Sequence, residues 1–311
     1  MIQIVTVTVN PSLDRTLRLD ALWPGGLHRV RHARADAAGK GINVARACTR
    51  LGEPAVALGV LGGNAGRTLS DILRRDGVTG EFEWVDGETR TNLKLMEPDG
   101  RTTEINEQGP AVSETTLRRL QERLGTWLPK VKVAVVAGSL PPGAPPTFYG
   151  DLVGQARQAG AFVVLDADGE ALRAGLKQQP DLVKPNREEA ERLLGRGLGS
   201  ARDAVDVARA IRTEGAARVL VSLGSGGCAF SGPEGEGWIE AMRVPHLEST
   251  TGAGDTLVAG LVAGWLRGLS LAEAARLGVA AASSAVGREG VARPDPHQTA
   301  SWVSQVQVHS L

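Results

Sequence analysis

Near the C-terminal end, Ser249-Thr250-Thr251-Gly252-Ala253-Gly254-Asp255-Thr256 places small residues and one carboxylate directly before an apolar helix. Small residues at a helix entry leave backbone N–H groups bare, and the helix dipole adds to their pull on an anion. The same Asp also stabilises a helix start by itself. The loop is not a Walker A motif, because no Gly-Lys-Ser/Thr follows, and it is not G-x-G-x-x-G. A second stretch, Gly39-Lys40-Gly41-Ile42-Asn43-Val44-Ala45-Arg46, also runs from glycine into a helix. Its glycines permit close backbone approach to a ligand, Lys40 supplies a point charge, and Asn43 an amide on the first turn. A capped surface helix with a solvated lysine accounts for the same residues. In Thr89-Arg90-Thr91-Asn92-Leu93-Lys94, strand alternation puts 90, 92 and 94 on one face. Two cations and an amide there suit a phosphate; for Lys94 an exposed charged face is an equal alternative.

Weaker signals lie elsewhere. Asn10-Pro11-Ser12-Leu13-Asp14 ends the first strand, where a turn Asp is either an Asx turn or a ligand contact. Lys184-Pro185-Asn186-Arg187-Glu188-Glu189 follows a short strand and reads equally as a capped helix start. Ser222-Leu223-Gly224-Ser225-Gly226-Gly227 is a glycine turn. Ser139, in Gly138-Ser139-Leu140-Pro141-Pro142-Gly143, has no G-x-S-x-G elbow and no partner His, so it is not a nucleophile. Histidines 28, 32, 246, 297 and 309 lack metal-ligand spacing.

These residues need a scaffold. Strands are expected at 2–9, 55–61, 131–136, 161–165, 182–184, 218–223, 227–231 and 236–243. Helices are expected at 41–51, 65–76, 113–127, 147–159, 186–194, 201–214, 253–267 and 271–287. Alternation of this kind implies βαβ units and a mostly parallel sheet covered on both faces. Segments 14–36 and 88–106 break the alternation, and Asp99-Gly100 marks a hairpin. They read as a small β lid inserted into one α/β domain spanning 1–311. The chain holds 35 basic and 35 acidic residues, so its net charge is zero. That argues against binding nucleic acid or a membrane surface by bulk electrostatics. Two cysteines, Cys48 and Cys228, are too few for a disulfide scaffold. The apolar run at 257–266 is too short to span a bilayer. With no signal-peptide pattern in MIQIVTVTVN, a cytoplasmic protein is expected. Only six basic residues are Lys, and three of them, 40, 94 and 184, fall in the motifs above.

Together, TTGAGDT and GKGINVAR resemble the two signatures of the ribokinase-like (pfkB) carbohydrate kinases, in the family's order. Gly-Lys-Gly at the first is similar to the phosphofructokinase and tagatose-6-phosphate kinase branch; Ala38 stands where Gly is usual, and Gln108 in Asn106-Glu107-Gln108-Gly109-Pro110 where Pro is usual. The resemblance implies an ATP- and Mg²⁺-dependent hexose-phosphate kinase, preferring D-fructose 1-phosphate. Tagatose 6-phosphate or fructose 6-phosphate is the nearest alternative substrate. A kinase of an unphosphorylated sugar, or a non-catalytic sugar-phosphate sensor, is more distant. It makes Asp255 the base and the amides of Gly252, Ala253 and Gly254 the anion hole. It puts Asp14, Gly39, Asn43 and Ser139 on the sugar, and Arg29, Lys40 and Arg90 on its phosphate. Lys184, Asn186, Ser222, Gly224, Gly227 and Ser283 fall to the nucleotide, and Glu189 to Mg²⁺. It also implies a homodimer formed through the lid.

Overall fold

The computed structural model describes residues 1–311 without interruption. Its centre is a ten-stranded sheet. Seven strands are parallel: β1 (Ile4–Thr8), β4 (Ala55–Gly62), β5 (Thr79–Val85), β8 (Val133–Ala137), β9 (Phe162–Asp166), β10 (Leu182–Val183) and β11 (Arg218–Ser222). Their spatial order is β11-β10-β9-β8-β1-β4-β5. Beyond β11, the strands β12 (Cys228–Gly232), β13 (Gly235–Ile239) and β14 (Val308–Ser310) continue the sheet antiparallel.

The central strands are apolar on both sides because helices cover both faces. Successive residues alternate between two cores. Ile4, Val133, Val135 and Val164 pack with α1 (Lys40–Arg50), α2 (Gly63–Arg75), α8 (Ala253–Leu266), α9 (Leu271–Val286) and α10 (Pro296–Val303). Val5, Val7, Val136 and Val163 pack with α3 (Glu114–Trp127), α4 (Phe148–Gln158), α5 (Gly169–Leu176), α6 (Arg187–Leu194) and α7 (Ala201–Thr213). The result is a three-layer α/β sandwich.

Where the structure departs from the expected elements, local chemistry explains it. The strand expected at 236–243 stops at Ile239. In β5, the sequence Thr-Gly-Glu-Phe-Glu-Trp-Val alternates acid with aromatic on an edge strand, so its apolar content is low. The short helices α5 and α10 and the strand β14 carry too few turns or residues to show a period.

A second sheet has the order β3-β2-β6-β7, from β2 (Ser12–Arg18), β3 (His32–Ala38), β6 (Arg90–Met96) and β7 (Thr102–Ile105). The turn between β6 and β7 holds Asp99 and Gly100, the latter at φ 88°. β2 and β6 pair in parallel with Ser12 opposite Arg90, Asp14 opposite Asn92 and Thr16 opposite Lys94. β2 begins four residues after β1 ends, so this sheet stands over the carboxyl ends of the parallel strands. That edge is where α/β sheets bind ligands.

Candidate active site

Five parallel strands deliver polar groups to this edge. β1 leads to Asn10 and Asp14, β8 to Ser139, β9 ends on Asp166, β10 leads to Lys184, and β11 ends at Ser222. Helices α1, α6 and α8 bring in Lys40, Glu189 and Asp255.

The N-terminus of α8 presents backbone donors and no capping side chain. Its cap, Gly252, has φ 76° and offers no side chain; a Cβ there would lie 3.0 Å from the Ala292 nitrogen. Both the left-handed backbone and the close approach demand glycine. Ala253 N–H donates to Thr250 O at 3.2 Å, closing the turn that enters the helix. The expected trio of free amides is therefore shifted: Gly252, Gly254 and Asp255 keep N–H groups with no protein partner, and Ala253 does not. A Cβ on Gly254 would lie 3.7 Å from the Lys184 ammonium, so a cation flanks these donors.

Asp255 is buried beneath them, and Asn43 Nδ2 donates to its Oδ2 at 2.7 Å. Burial first, then the charge of Asp166, pushes its pKa up to about 6, against the opposing pull of Asn43, Lys40 and Lys184. A carboxylate poised there is a competent base near neutral pH. Asn43 acts from the first turn of α1, where Gly39 (φ 119°) is packed against Thr8 and Pro11.

Lys40, expected on the sugar phosphate, is held by two carboxylates. Its ammonium contacts Asp166 Oδ1 at 2.8 Å and Glu189 Oε1 at 3.0 Å. Burial alone would lower its pKa; Asp166 and Glu189 reverse this and hold it above the ordinary lysine value. Asp166 is fully buried and is also 3.2 Å from Lys184. Burial would raise its pKa, but the two lysines keep it below the usual carboxylate range. Asp166 is thus the hub of the cluster, and sequence reasoning missed it. In Leu165-Asp166-Ala167-Asp168-Gly169 the only signal was its place at the end of a buried strand, and neighbouring Asp168 masks it as a turn residue.

Glu189 and Asn186 form a reciprocal cap: Glu189 N–H donates to Asn186 Oδ1 at 2.8 Å, and Asn186 N–H to Glu189 Oε2 at 2.9 Å. Asn186 bridges to Ser222, and Gly224 and Gly227 turn the chain beyond it at φ 59° and 87°. Ser283 is buried on α9. No group of three His, Cys, Asp or Glu side chains is placed to hold a metal on protein ligands alone.

On the other side, Arg90 Nε and Nη2 donate to Asn10 O at 3.2 and 3.0 Å. Burial lowers its pKa. Asn10 Nδ2 reaches Gln108 O at 3.0 Å and Ser139 Oγ at 3.3 Å, joining the three loops around Arg90. Asp14 is buried and accepts from Ser12 Oγ at 2.7 Å and Asn92 Nδ2 at 3.0 Å. Lys94 is not on an exposed face. It is 8% exposed, 3.0 Å from Asp14 Oδ2, and donates to Thr251 Oγ1 at 2.9 Å. Arg29 is not brought into the group: it is exposed in the loop between β2 and β3, without a hydrogen bond or ion pair. Ala38 lies inside β3 opposite Ser12 and has an ordinary backbone, so glycine is not required there.

This geometry joins a buried carboxylate, free amides with a flanking lysine, and Arg90 on the opposite side. Residues 8–298 match the model of the pfkB family carbohydrate kinases. The chain belongs to that family. It is 35% identical to the 1-phosphofructokinase of Escherichia coli (strain K12) over 306 residues, 98% of each chain. It is 40% identical to the 1-phosphofructokinase of Xanthomonas campestris pv. campestris over 288 residues, 90% of this chain and 89% of that one. Among solved structures it resembles phosphofructokinase-2 from Escherichia coli, in complex with fructose-6-phosphate and in a tetrameric inhibited form. Each is 32% identical with a TM-score of 0.87, covering 98% of this chain and 100% of that one. As a pfkB kinase, the protein is an ATP-dependent sugar-phosphate kinase. No helix of the kinase is long and apolar enough to cross a membrane.

Proposed function

We propose that this kinase transfers the γ-phosphoryl group of ATP to the C6 hydroxyl of D-fructose 1-phosphate, giving fructose 1,6-bisphosphate and ADP. The observation that carries the reading is buried Asp255, fixed by Asn43 and set beside free amides and Lys184. Asp14 and Asn43 orient the sugar, with Gly39 and Ser139 lining its pocket. The existing phosphate meets Arg90, with Arg29 swinging in from its exposed loop. Asp255 takes the C6–OH proton as that oxygen bonds to phosphorus and the bond to the ADP oxygen breaks; the proton then passes to solvent. The amides of Gly252, Gly254 and Asp255, with Lys184, hold the charge of the moving phosphoryl group. Phosphoryl transfer needs this positioning and neutralisation more than covalent help.

Asn186, Ser222, Gly224, Gly227 and Ser283 border the nucleotide. Glu189 is the carboxylate that would hold Mg²⁺; with no group of three protein ligands at hand, such an ion would keep waters and borrow phosphate oxygens. Its Oε1 is held by Lys40 and its Oε2 by the Asn186 N–H, so the carboxylate is fixed in place. When bound, Mg²⁺ offsets charge on the ATP phosphates.

The four-stranded sheet serves as the lid that excludes water. Exposed Trp23, Leu27 and Val30 in its β2–β3 loop and Ile105 on β7 support it as the surface for a homodimer. The cytoplasm, where ATP and sugar phosphates are held, is the proposed location. A second reading, phosphorylation of fructose 6-phosphate, is favoured by the bound sugar of the Escherichia coli phosphofructokinase-2 structure; tagatose 6-phosphate falls in the same class.

Arg90→Ala tests the phosphate contact. kcat/KM for fructose 1-phosphate should fall about 10- to 100-fold, as expected for lost charge-assisted bonds. The weaker turnover of plain fructose should stay within about twofold if Arg90 touches only the phosphate. Equal losses on both sugars would show that Arg90 merely braces the Asn10 and Glu107 loops.

A further inference from the structure

Lys94 connects the small sheet to the loop that enters α8. It stands on β6 of the small sheet, is nearly buried, and has two partners. One is Asp14 Oδ2 at 3.0 Å, on β2. The other is Thr251 Oγ1 at 2.9 Å, in the residue immediately before the anion-binding cap Gly252. The remaining oxygen of Asp14, Oδ1, is taken by Ser12 and Asn92. Oδ2 is therefore the oxygen open to a sugar hydroxyl, and it is the one Lys94 holds. The other polar link between the small sheet and this loop, Arg18 to Glu248, lies on the surface with both side chains 44% exposed. An exposed pair of that kind contributes little.

We propose that Lys94 is a positioning residue that couples sugar occupancy at Asp14 to the setting of the phosphoryl-binding loop, so that sugar phosphate and ATP bind synergistically through it. A sugar hydroxyl donating to Asp14 Oδ2 draws off part of the negative charge that Lys94 neutralises. The ammonium, with three donors to share, then engages Thr251 more fully. That fixes the peptide entering Gly252, whose free amide and those of Gly254 and Asp255 meet the nucleotide's terminal phosphate. The coupling is reciprocal by linkage: whatever factor the sugar adds to ATP affinity, ATP adds to sugar affinity.

The inference rests on the proposed sugar-phosphate kinase reading, and two readouts separate them. Wild-type turnover of fructose 1-phosphate tests the reading. Calorimetric binding of a non-hydrolysable ATP analogue, with and without saturating fructose 1-phosphate, tests the coupling. In the wild type, the sugar phosphate should tighten analogue binding about tenfold, within the usual range of site-to-site coupling. Lys94→Met breaks both contacts. Thr251→Val breaks only the loop contact and leaves the Lys94–Asp14 pair, so it remains informative if Lys94→Met folds poorly. In each variant the analogue's affinity without sugar should change little, and the tenfold synergy should shrink below about twofold. Combining the two should abolish no more synergy than either alone. Absence of synergy in the wild type, or full synergy in Thr251→Val, overturns the proposal.

Discussion

Asp255→Asn should fold and yet lose about 10²- to 10⁴-fold in kcat, the usual contribution of a positioned base. KM for ATP and for the sugar phosphate should stay within a few-fold, because Asn is nearly isosteric and Asn43 can still donate to its oxygen. The wild type should show the matching pH profile: kcat/KM for the sugar falls below about pH 6 as Asp255 takes up a proton. That limb should vanish in the variant. Stability should move the opposite way. Burial raises the folded-state pKa of Asp255 above its unfolded value, so its favourable contribution is present at low pH and lost as pH rises through about 6. At pH 7 the ionised carboxylate is a net cost. Asp255→Asn should therefore be more stable at pH 7, by on the order of 1–3 kcal/mol, and the gain should shrink toward pH 4. Steady-state kinetics and urea unfolding across that range check both halves. Near-normal turnover of the variant would end the assignment of Asp255 as base.

The second large effect is expected at Lys184. Its ammonium is 3.2 Å from Asp166 Oδ2 and would lie 3.7 Å from a Cβ on Gly254. In that place it faces the charge of the transferring group. Lys184→Met should lower kcat about 10²- to 10³-fold, comparable to removing one donor from a preorganised anion hole. KM for ATP should rise and KM for the sugar should change little. Asp166 then keeps Lys40 as its remaining cation, so the fold survives with reduced stability. Lys184→Arg keeps the charge and should recover part of kcat. A variant with unchanged ATP dependence would remove Lys184 from the nucleotide side.

The two glycine entries were legible because a helix start rich in small residues is a local pattern, and local patterns survive in sequence. The parallel core was legible for the same reason: Val5, Val7, Val135 and Val163 fall in strand runs separated by helical lengths. What escaped depends on partners distant in the chain. Asp166 looks like any strand-end Asp until Lys40 and Lys184, 126 residues before it and 18 after, converge on it. Alternation put Lys94 on the face of Arg90 and Asn92, but only the packing of β6 over the α8 entry shows that this face looks inward. The carboxylates that hold Lys40 lie on β9 and α6, far from its glycine neighbours in sequence. The Ala253 amide depends on a turn closed by Thr250, which residue types alone do not reveal.

The same contrast resolves the zero net charge. Positive potential is local, held in three unpaired amides and a few placed Lys and Arg side chains, several of them buried against carboxylates. A cavity arranged this way should discriminate strongly between phosphorylated and plain sugars. The most direct test is a side-by-side steady-state assay with Mg²⁺ and ATP on fructose 1-phosphate, fructose 6-phosphate, tagatose 6-phosphate and unphosphorylated fructose. The highest kcat/KM is expected with fructose 1-phosphate, and a value for fructose lower by about 10²-fold or more, as loss of charge-assisted contacts implies. Equal efficiency on fructose, or a higher value on either 6-phosphate, would contradict it.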